Sequence, residues 1–480
     1  MRLIPFFLAA CILLQPTRLA VADPIPTLEV PEKRVNPLLL EAKFQEAYSI
    51  IENRYIDRIQ SSTIMIYGFR QMLKVPGLEG LEYKDLISPT QRLGSQRDDF
   101  QAFRAALQNI RQKVDPSTDM NALLQELIEA MIQGMVNGLD DPYSAYLAPE
   151  KNRELQEYLT GVTKSFAGIG IRFEFKEGRC RVVAPIPDTP AYRAGIRPGD
   201  VINLVDGAEI SNEDDAREKM MGDPGSQVVL TVEREAVPEP LNYSLIRESI
   251  IQPELEKILL PGDVGYVRIN SFNEHSGETL LENLRYLETF GMKKCLLDLR
   301  QNAGGLLKTS VEVADIFLPR GSLVTKTHGR AADTVREHRT RRNLPYTRMP
   351  LVVLVDHYTA SAAEIVTGAI RDNRRGKVVG DQTFGKGTVQ EVRQLDDNSA
   401  IKLTVAQYLT PSGESIHHKG IAPDYPVHTD HIVFPSQYRS PQNIDLVELG
   451  QDKQVRKALE ILGVKLPIVP GDSAETAKEG

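Results

Sequence analysis

The feature that most constrains this chain is a series of apolar runs between residues 265 and 382, each set apart from the next by a stretch of helical character. GYVRINSF (265–272), KKCLLDLR (293–300), PLVVLVD (350–356) and VVGDQ (378–382) read as strands. The segments to about Phe290, near 308–317 and from Ser361 onward read as helices. Strands alternating with helices bury their apolar faces by layering, so an α/β layer domain is expected here.

The flanking regions have other periods. Residues 38–147 are helical in pattern: Phe44, Tyr48, Ile51 and Tyr55 recur on one helix face, and a second helix over 121–139 carries Leu123, Leu124, Leu127, Met131 and Met135. Residues 76–120 mix short helical pieces with Gly/Pro breaks. That stretch carries either assembly contacts or filler. From about 160 to 235 short strands dominate. CRVVA (180–184) and AYRAGIRPGDVINLVDGAEI (191–210) are punctuated by Gly195, Pro198-Gly199 and Asp206-Gly207, and a short helix (212–221) and VVLTVER (228–234) follow. AVPEPLN (236–242) reads as a linker, 326–348 as an Arg-rich loop that is either simply solvated or steers acidic substrates, and 452–462 as a final helix. The expected fold class is therefore multidomain α/β. It comprises a helical region (23–150), a β domain with short helices (160–235), an α/β core (243–430), and a C-terminal helix with a disordered polar tail (431–480).

Length and charge bound the function. A chain of 480 residues holds about three domains. The balance of 57 basic to 65 acidic side chains argues against bulk nucleic-acid binding, which needs a basic footprint. Three cysteines make neither a disulfide framework nor a multi-cysteine zinc site; Cys180 and Cys295 lie in apolar runs and are expected to be buried free thiols. Residues 1–22 have Arg2, an apolar run from Leu3 to Leu14, and Ala20-Val21-Ala22, the pattern of a cleaved export signal. The rival is lipidation at Cys11, after Leu8-Ala9-Ala10. Either way an exported protein, soluble or anchored by lipid alone, is expected.

Three short segments hold candidate chemistry. In DHYTASAAEI (356–365) an apolar strand ends at Asp356 and a helix starts near Ser361. Helix N-termini favour developing negative charge, so Ser361 is placed as a nucleophile or as a plain N-cap. In TFGKGTVQ (383–390), Lys386 lies between two glycines that permit close backbone approach. Desolvated there, it would be a neutral amine base; otherwise it is a surface lysine. In LDLRQNAGGLL (297–307), Asn302-Ala303-Gly304-Gly305 follows a strand and could present N–H groups to an oxyanion, or simply turn into a helix. His357 precedes Ser361, and His417-His418 read as a solvated loop; no H-E-x-x-H is present.

Together these segments resemble one family, the carboxy-terminal processing (tail-specific) serine proteases. Residues 191–207 resemble a PDZ domain. TASAAEI, FGKGTVQ and DLRQNAGG resemble the family's nucleophile, lysine and glycine motifs, and LDDPYSAYL (139–147) resembles an N-terminal signature. The resemblance implies a Ser/Lys endopeptidase with nucleophile Ser361, general base Lys386, orienting Gln390, and an oxyanion hole from the backbone N–H groups of Gly304 and Ala362. It implies a bacterial periplasm or cell envelope as the location, no metal and no cofactor. The PDZ domain would capture apolar C-terminal tails of protein substrates, with the carboxylate among the N–H groups of Gly168, Ile169 and Gly170. An adaptor or activator protein is a possible partner. Homo-oligomerisation through the helices near 41–57 and 452–462 is expected, and no nucleic acid. Ala363 and Ala303 stand where the family has serine and proline, and neither change removes a group the mechanism needs. The alternative is an idle protease fold serving as a PDZ binding protein.

Overall fold

The computed structural model describes residues 37–467, except 162–165, 177, 187–188, 236, 251–253, 430–431 and 436–439. The export signal, the Cys11 alternative and the polar tail lie outside the described residues.

The helical region contains α1 (Pro37–Arg54), α2 (Ser61–Met72), α3 (Tyr83–Leu86), α4 (Gln96–Lys113) and α5 (Met120–Asn137), then β1 (Ala145–Leu147) and α6 (Pro149–Leu159). Phe44, Tyr48, Ile51 and Tyr55 are buried together, as their spacing requires. Within 76–120 lies α4, an 18-residue helix that the broken pattern conceals. Ser95 caps it by accepting from the Asp98 N–H, and its inner face is Asp99, Ala102, Phe103, Ala106 and Ile110. The Tyr48 hydroxyl donates to Asp99 at 2.7 Å inside this core.

The second region is a β domain. β2 (Phe166–Gly168), β3 (Ile171–Lys176), β4 (Arg179–Pro185), α7 (Pro190–Arg193), β5 (Val201–Val205), β6 (Ala208–Glu209), α8 (Glu213–Met220), β7 (Gln227–Glu233), β8 (Leu241–Ile246) and β9 (Glu248–Ile250) follow in order. The main sheet runs β3-β4-β5-β7-β8, so β3 is an edge strand. Val228, Leu230 and Val232 of β7 all point inward, the period-2 burial of a half-solvated strand. The expected linker at 236–242 runs directly into β8, which pairs antiparallel with β7. The domain thus continues past the linker, because β7 would otherwise leave a ladder of hydrogen-bonding groups open.

The α/β core has β10 (Leu255–Leu260), β11 (Val264–Ile269), α9 (Ser276–Thr289), β12 (Lys294–Asp298), α10 (Leu307–Phe317), β13 (Leu323–Gly329), β14 (Arg336–Arg339), β15 (Leu351–Val355), α11 (Ala362–Asp372), β16 (Lys377–Gly380), β17 (Thr388–Gln394), β18 (Ala400–Leu409), β19 (Tyr425–Pro426), α12 (Leu446–Gln451) and α13 (Lys453–Ile461). Its sheet runs β10-β11-β12-β15-β16-β19, parallel from β11 onward. Leu297, Val353 and Val355 face one layer with α9, α10 and α11; Leu296, Val352 and Leu354 face the other with α13. Burial on both faces explains the unbroken apolar runs. Cys180 and Cys295 are buried free thiols.

A second sheet, β1-β18-β13-β14 with β17 on β18, joins the core to the helical region. Ile401, Leu403 and Val405 of β18 belong to the same hydrophobic cluster as α1 and α5. The expected solvated loop at 326–348 instead contains a ribbon, with β13 and β14 antiparallel. Thr325 and Thr327 turn inward while His328 turns out. The two helices expected to make a dimer spend their apolar faces inside the chain, on the helical core and on the sheet.

Candidate active site

In a parallel sheet the loops at the carboxyl ends of adjacent strands meet in space. β12, β15 and β16 are neighbours, and each runs into one of the three candidate segments. Convergence therefore follows from strand order. The Ala360 N–H donates to the Asn302 carbonyl at 2.9 Å, and the Phe384 N–H donates to the Thr359 carbonyl at 3.0 Å.

Ser361 sits between β15 and α11 with φ +54°, in a region costly for a residue with a Cβ. An ordinary N-cap residue adopts extended backbone instead. The turn is held by buried Asp356, which accepts from the N–H groups of Gln301, Tyr358 and Thr359 at 3.0 Å. Gly304 lies against Ser361 so closely that a Cβ there would come within 2.7 Å of the Ser361 Cβ, and its φ is +100°. Ala362 opens α11, so its N–H is one of the first-turn donors without an intrahelical acceptor. The Gly304 N–H is committed: it donates to Oδ1 of Asn302 at 2.8 Å.

Lys386 is half-buried in the glycine-flanked loop, and its amine is held below the ordinary lysine range, by burial first and then by the charge of Lys402. Gly387 leaves no room for a side chain, since a Cβ would come within 2.8 Å of the His417 backbone nitrogen. The expected solvated histidine pair therefore has His417 packed on this loop with Nδ1 buried. Gln390 is on β17 at a bulge, where its amide nitrogen donates to the Thr388 hydroxyl at 2.9 Å.

Two residues missed by sequence reasoning lock the loops together. Glu364 is buried and accepts four hydrogen bonds. Its Oε2 takes the N–H groups of Ser361 and Lys386, both at 2.9 Å, and its Oε1 takes the Gly385 N–H at 2.8 Å and the Thr383 hydroxyl at 2.6 Å. Burial raises its pKa against the opposing pull of those donors. The S-x-x-E spacing of a capping box was its visible signal. The Tyr408 hydroxyl lies 2.6 Å from the Lys386 carbonyl and 3.0 Å from that of Ser361; nothing in the sequence pattern marked it.

The DLR motif is structural in its contacts. Asp298 and Arg300 are fully buried and paired at 2.7 Å, and Arg300 reaches Asp452 at 2.7 Å, tying the end of β12 to the start of α13.

A pocket of about 430 Å³ opens on these loops, lined by Lys386, Ala303 and Ala360, by Phe173 and Arg172 of β3, and by Tyr143 of the helical region. The β domain touches the loops directly: Arg172 donates to the Gln301 side chain at 2.9 Å, and the Tyr358 hydroxyl donates to Glu174. The Gly168–Gly170 segment precedes edge strand β3. Ile169 is buried, and Gly170 (φ +78°) is packed under Thr189.

Comparison with known proteins places these features. The peptidase family S41 model matches residues 263–427, which contain Ser361, Lys386, Gln390 and Gly304. Residues 263–427 are a family S41 peptidase domain. A PDZ domain model matches 181–234. A carboxy-terminal-processing protease of Bartonella bacilliformis is 38% identical over 290 residues, 59% of this chain and 66% of that protein. A probable CtpA-like serine protease of Staphylococcus aureus is 37% identical over 339 residues, covering 68% of this chain and 66% of that one. The chain thus spans just under two thirds of the length of these relatives. Among solved structures, a photosystem II D1 C-terminal processing protease superposes with a TM-score of 0.52 at 26% identity, over 81% of this chain and 93% of the other. A putative S41 protease from Bacteroides fragilis shares the fold, with a TM-score of 0.51 at 16% identity, over 87% and 97%. The S41 domain here carries its PDZ domain ahead of it, against the mouth of its pocket.

Proposed function

We propose that this chain is a serine endopeptidase working through Ser361 and Lys386. Neutral Lys386 takes the proton from Ser361 Oγ, and the oxygen attacks a peptide carbonyl carbon. The carbonyl electron pair moves to oxygen, and the N–H groups of Ala362 and Gly304 receive that charge. The Lys386 ammonium then protonates the leaving amine, and water, with Lys386 again as base, releases the acyl group. Gln390 would help orient the lysine. The observation that carries this reading is Glu364, whose one carboxylate oxygen fixes the backbones of both Ser361 and Lys386. The strained φ of Ser361 and the lowered Lys386 pKa support it.

The substrates would be proteins with apolar C-terminal tails. The PDZ domain would hold the tail along β3, its carboxylate near Gly168, Ile169 and Gly170, and the pocket's apolar walls suit such chains. Processing or degradation in the cell envelope, an activator and a homo-oligomer belong to the same proposal. Any oligomer through α1 or α13 would use their outer faces.

One observation favours the alternative of a resting or idle site: the Gly304 N–H is taken by Asn302. An unfolded protein with an apolar tail, incubated with the full chain and with Ser361→Ala and Lys386→Ala, tests both. Cleavage by the unaltered chain alone, read by mass spectrometry, supports the enzyme. Silence that an envelope extract relieves supports a resting state. Persistent silence with tail peptides still bound supports a binding protein.

A further inference from the structure

Tyr143 belongs to the helical region, outside the S41 match, yet it faces the active-site lysine. The Lys386 Nζ stands over its ring, 5.0 Å from the centroid. Local structure puts the ring there. After α5 the chain turns at Asp140, with φ +52°. The Asp141 carboxylate accepts from the Tyr143 N–H at 3.0 Å and from the Ser144 hydroxyl, which itself accepts from the Thr404 N–H of β18 at 3.0 Å. β1 then pairs with β18, with Ala145 opposite Lys402. The turn is stapled to β18 and carries Tyr143 to the pocket wall.

The charged and titratable groups around this amine come from several elements. Lys402 of β18 disfavours the ammonium, while Asp141 of the turn and Glu364 of α11 favour it. His417 lies beside Tyr143, with ring centroids 6.4 Å apart, and the His418 ring lies tilted against His417. To these the aromatic face adds an attraction for a cation that a neutral amine does not feel to the same degree.

We propose that Tyr143 is a positioning residue for Lys386, its ring holding the amine in the pocket and stabilising the ammonium formed when the serine proton is taken. In that step the Oγ–H bond breaks, an N–H bond forms on Nζ, and the positive charge appears at the ring face. It stays there until the proton passes to the leaving amine. The catalytic consequence rests on the Ser/Lys reading; the effect on the amine does not. The helical region thereby supplies part of the active site.

The test uses the full chain with Tyr143→Leu and Tyr143→Phe. Lys386 is titrated by trace acylation with acetic anhydride across pH, read by mass spectrometry, with the other lysines as internal references. Removing the ring should lower the Lys386 titration by about 0.4–1.5 pH units. Tyr143→Phe should leave it in place. Unfolding would move it the other way, toward an ordinary lysine. An unmoved Tyr143→Leu overturns the proposal, as does a Tyr143→Phe shift equal to that of Tyr143→Leu, which would assign the effect to the hydroxyl. In the cleavage assay the acid limb of the rate profile should move down by the same amount. A merely structural role would lower the rate at every pH without moving the limb. If the unaltered chain stays silent even with envelope extract, the Ser/Lys reading fails while the labelling still decides on Tyr143.

Discussion

Ser361 and Lys386 share one acceptor: the backbone N–H of each donates, at 2.9 Å, to the same oxygen of Glu364. A residue on the first turn of α11 therefore sets the relative placement of two loops that leave different strands. Replacing Glu364 with alanine strands several buried donors, each costing about 1–3 kcal/mol. Glu364→Gln is no remedy, because whichever end carries the NH₂ faces N–H donors. Both variants should lose most cleavage activity, and urea unfolding should show destabilisation of about 2–4 kcal/mol.

Lys386 gives a pH prediction with a definite sign. Its amine titrates below the ordinary lysine range because it is buried and near Lys402. On the proposed Ser/Lys mechanism, cleavage should rise with pH through that lowered value, as the neutral base forms. Between the lowered value and the unfolded one, the unfolded chain binds more protons, so stability should also rise with pH across that window. Lys386→Met should abolish cleavage, by about 10⁴-fold or more, while raising the thermal midpoint near neutral pH.

Gly304 is a steric requirement of the serine turn, beside the donor role proposed for it. A Cβ at this position would lie 2.7 Å from the Ser361 Cβ and 2.8 Å from the Ala360 carbonyl oxygen, on a backbone of positive φ. Gly304→Ala should displace the serine turn, cost about 2–4 kcal/mol of stability, and lower kcat at least about 100-fold. Steady-state kinetics alongside thermal unfolding would separate the two effects.

Arg300 should prove structural. It is fully buried between Asp298 and Asp452. Arg300→Met leaves two buried carboxylates without their cation, so a loss of about 3–5 kcal/mol is expected in urea unfolding. Burial alone would raise the Asp298 pKa, but the charge and hydrogen bonds of Arg300 hold it below the usual carboxylate range. Its contribution is present above the unfolded carboxylate pKa and is lost as pH falls through the lowered value.

The sequence by itself determined the layered core, because strands buried on both faces must be apolar throughout, as in Leu351–Val355. It also showed the breaks after those strands where Ser361, Lys386 and Gly304 lie. It hid α4, whose buried face mixes Asp99 and two alanines with Phe103 and Ile110 and whose surroundings are broken by glycine and proline. It also hid the β13–β14 ribbon, since threonines and charges become strand only when β18, some 80 residues on, pairs with them. What only the tertiary structure decided was convergence. Strand order placed three loops side by side, a buried glutamate tied two of them together, and β18 carried Tyr143 from the helical region to Lys386. Such contacts depend on partners distant in the chain, and a local pattern holds no record of them.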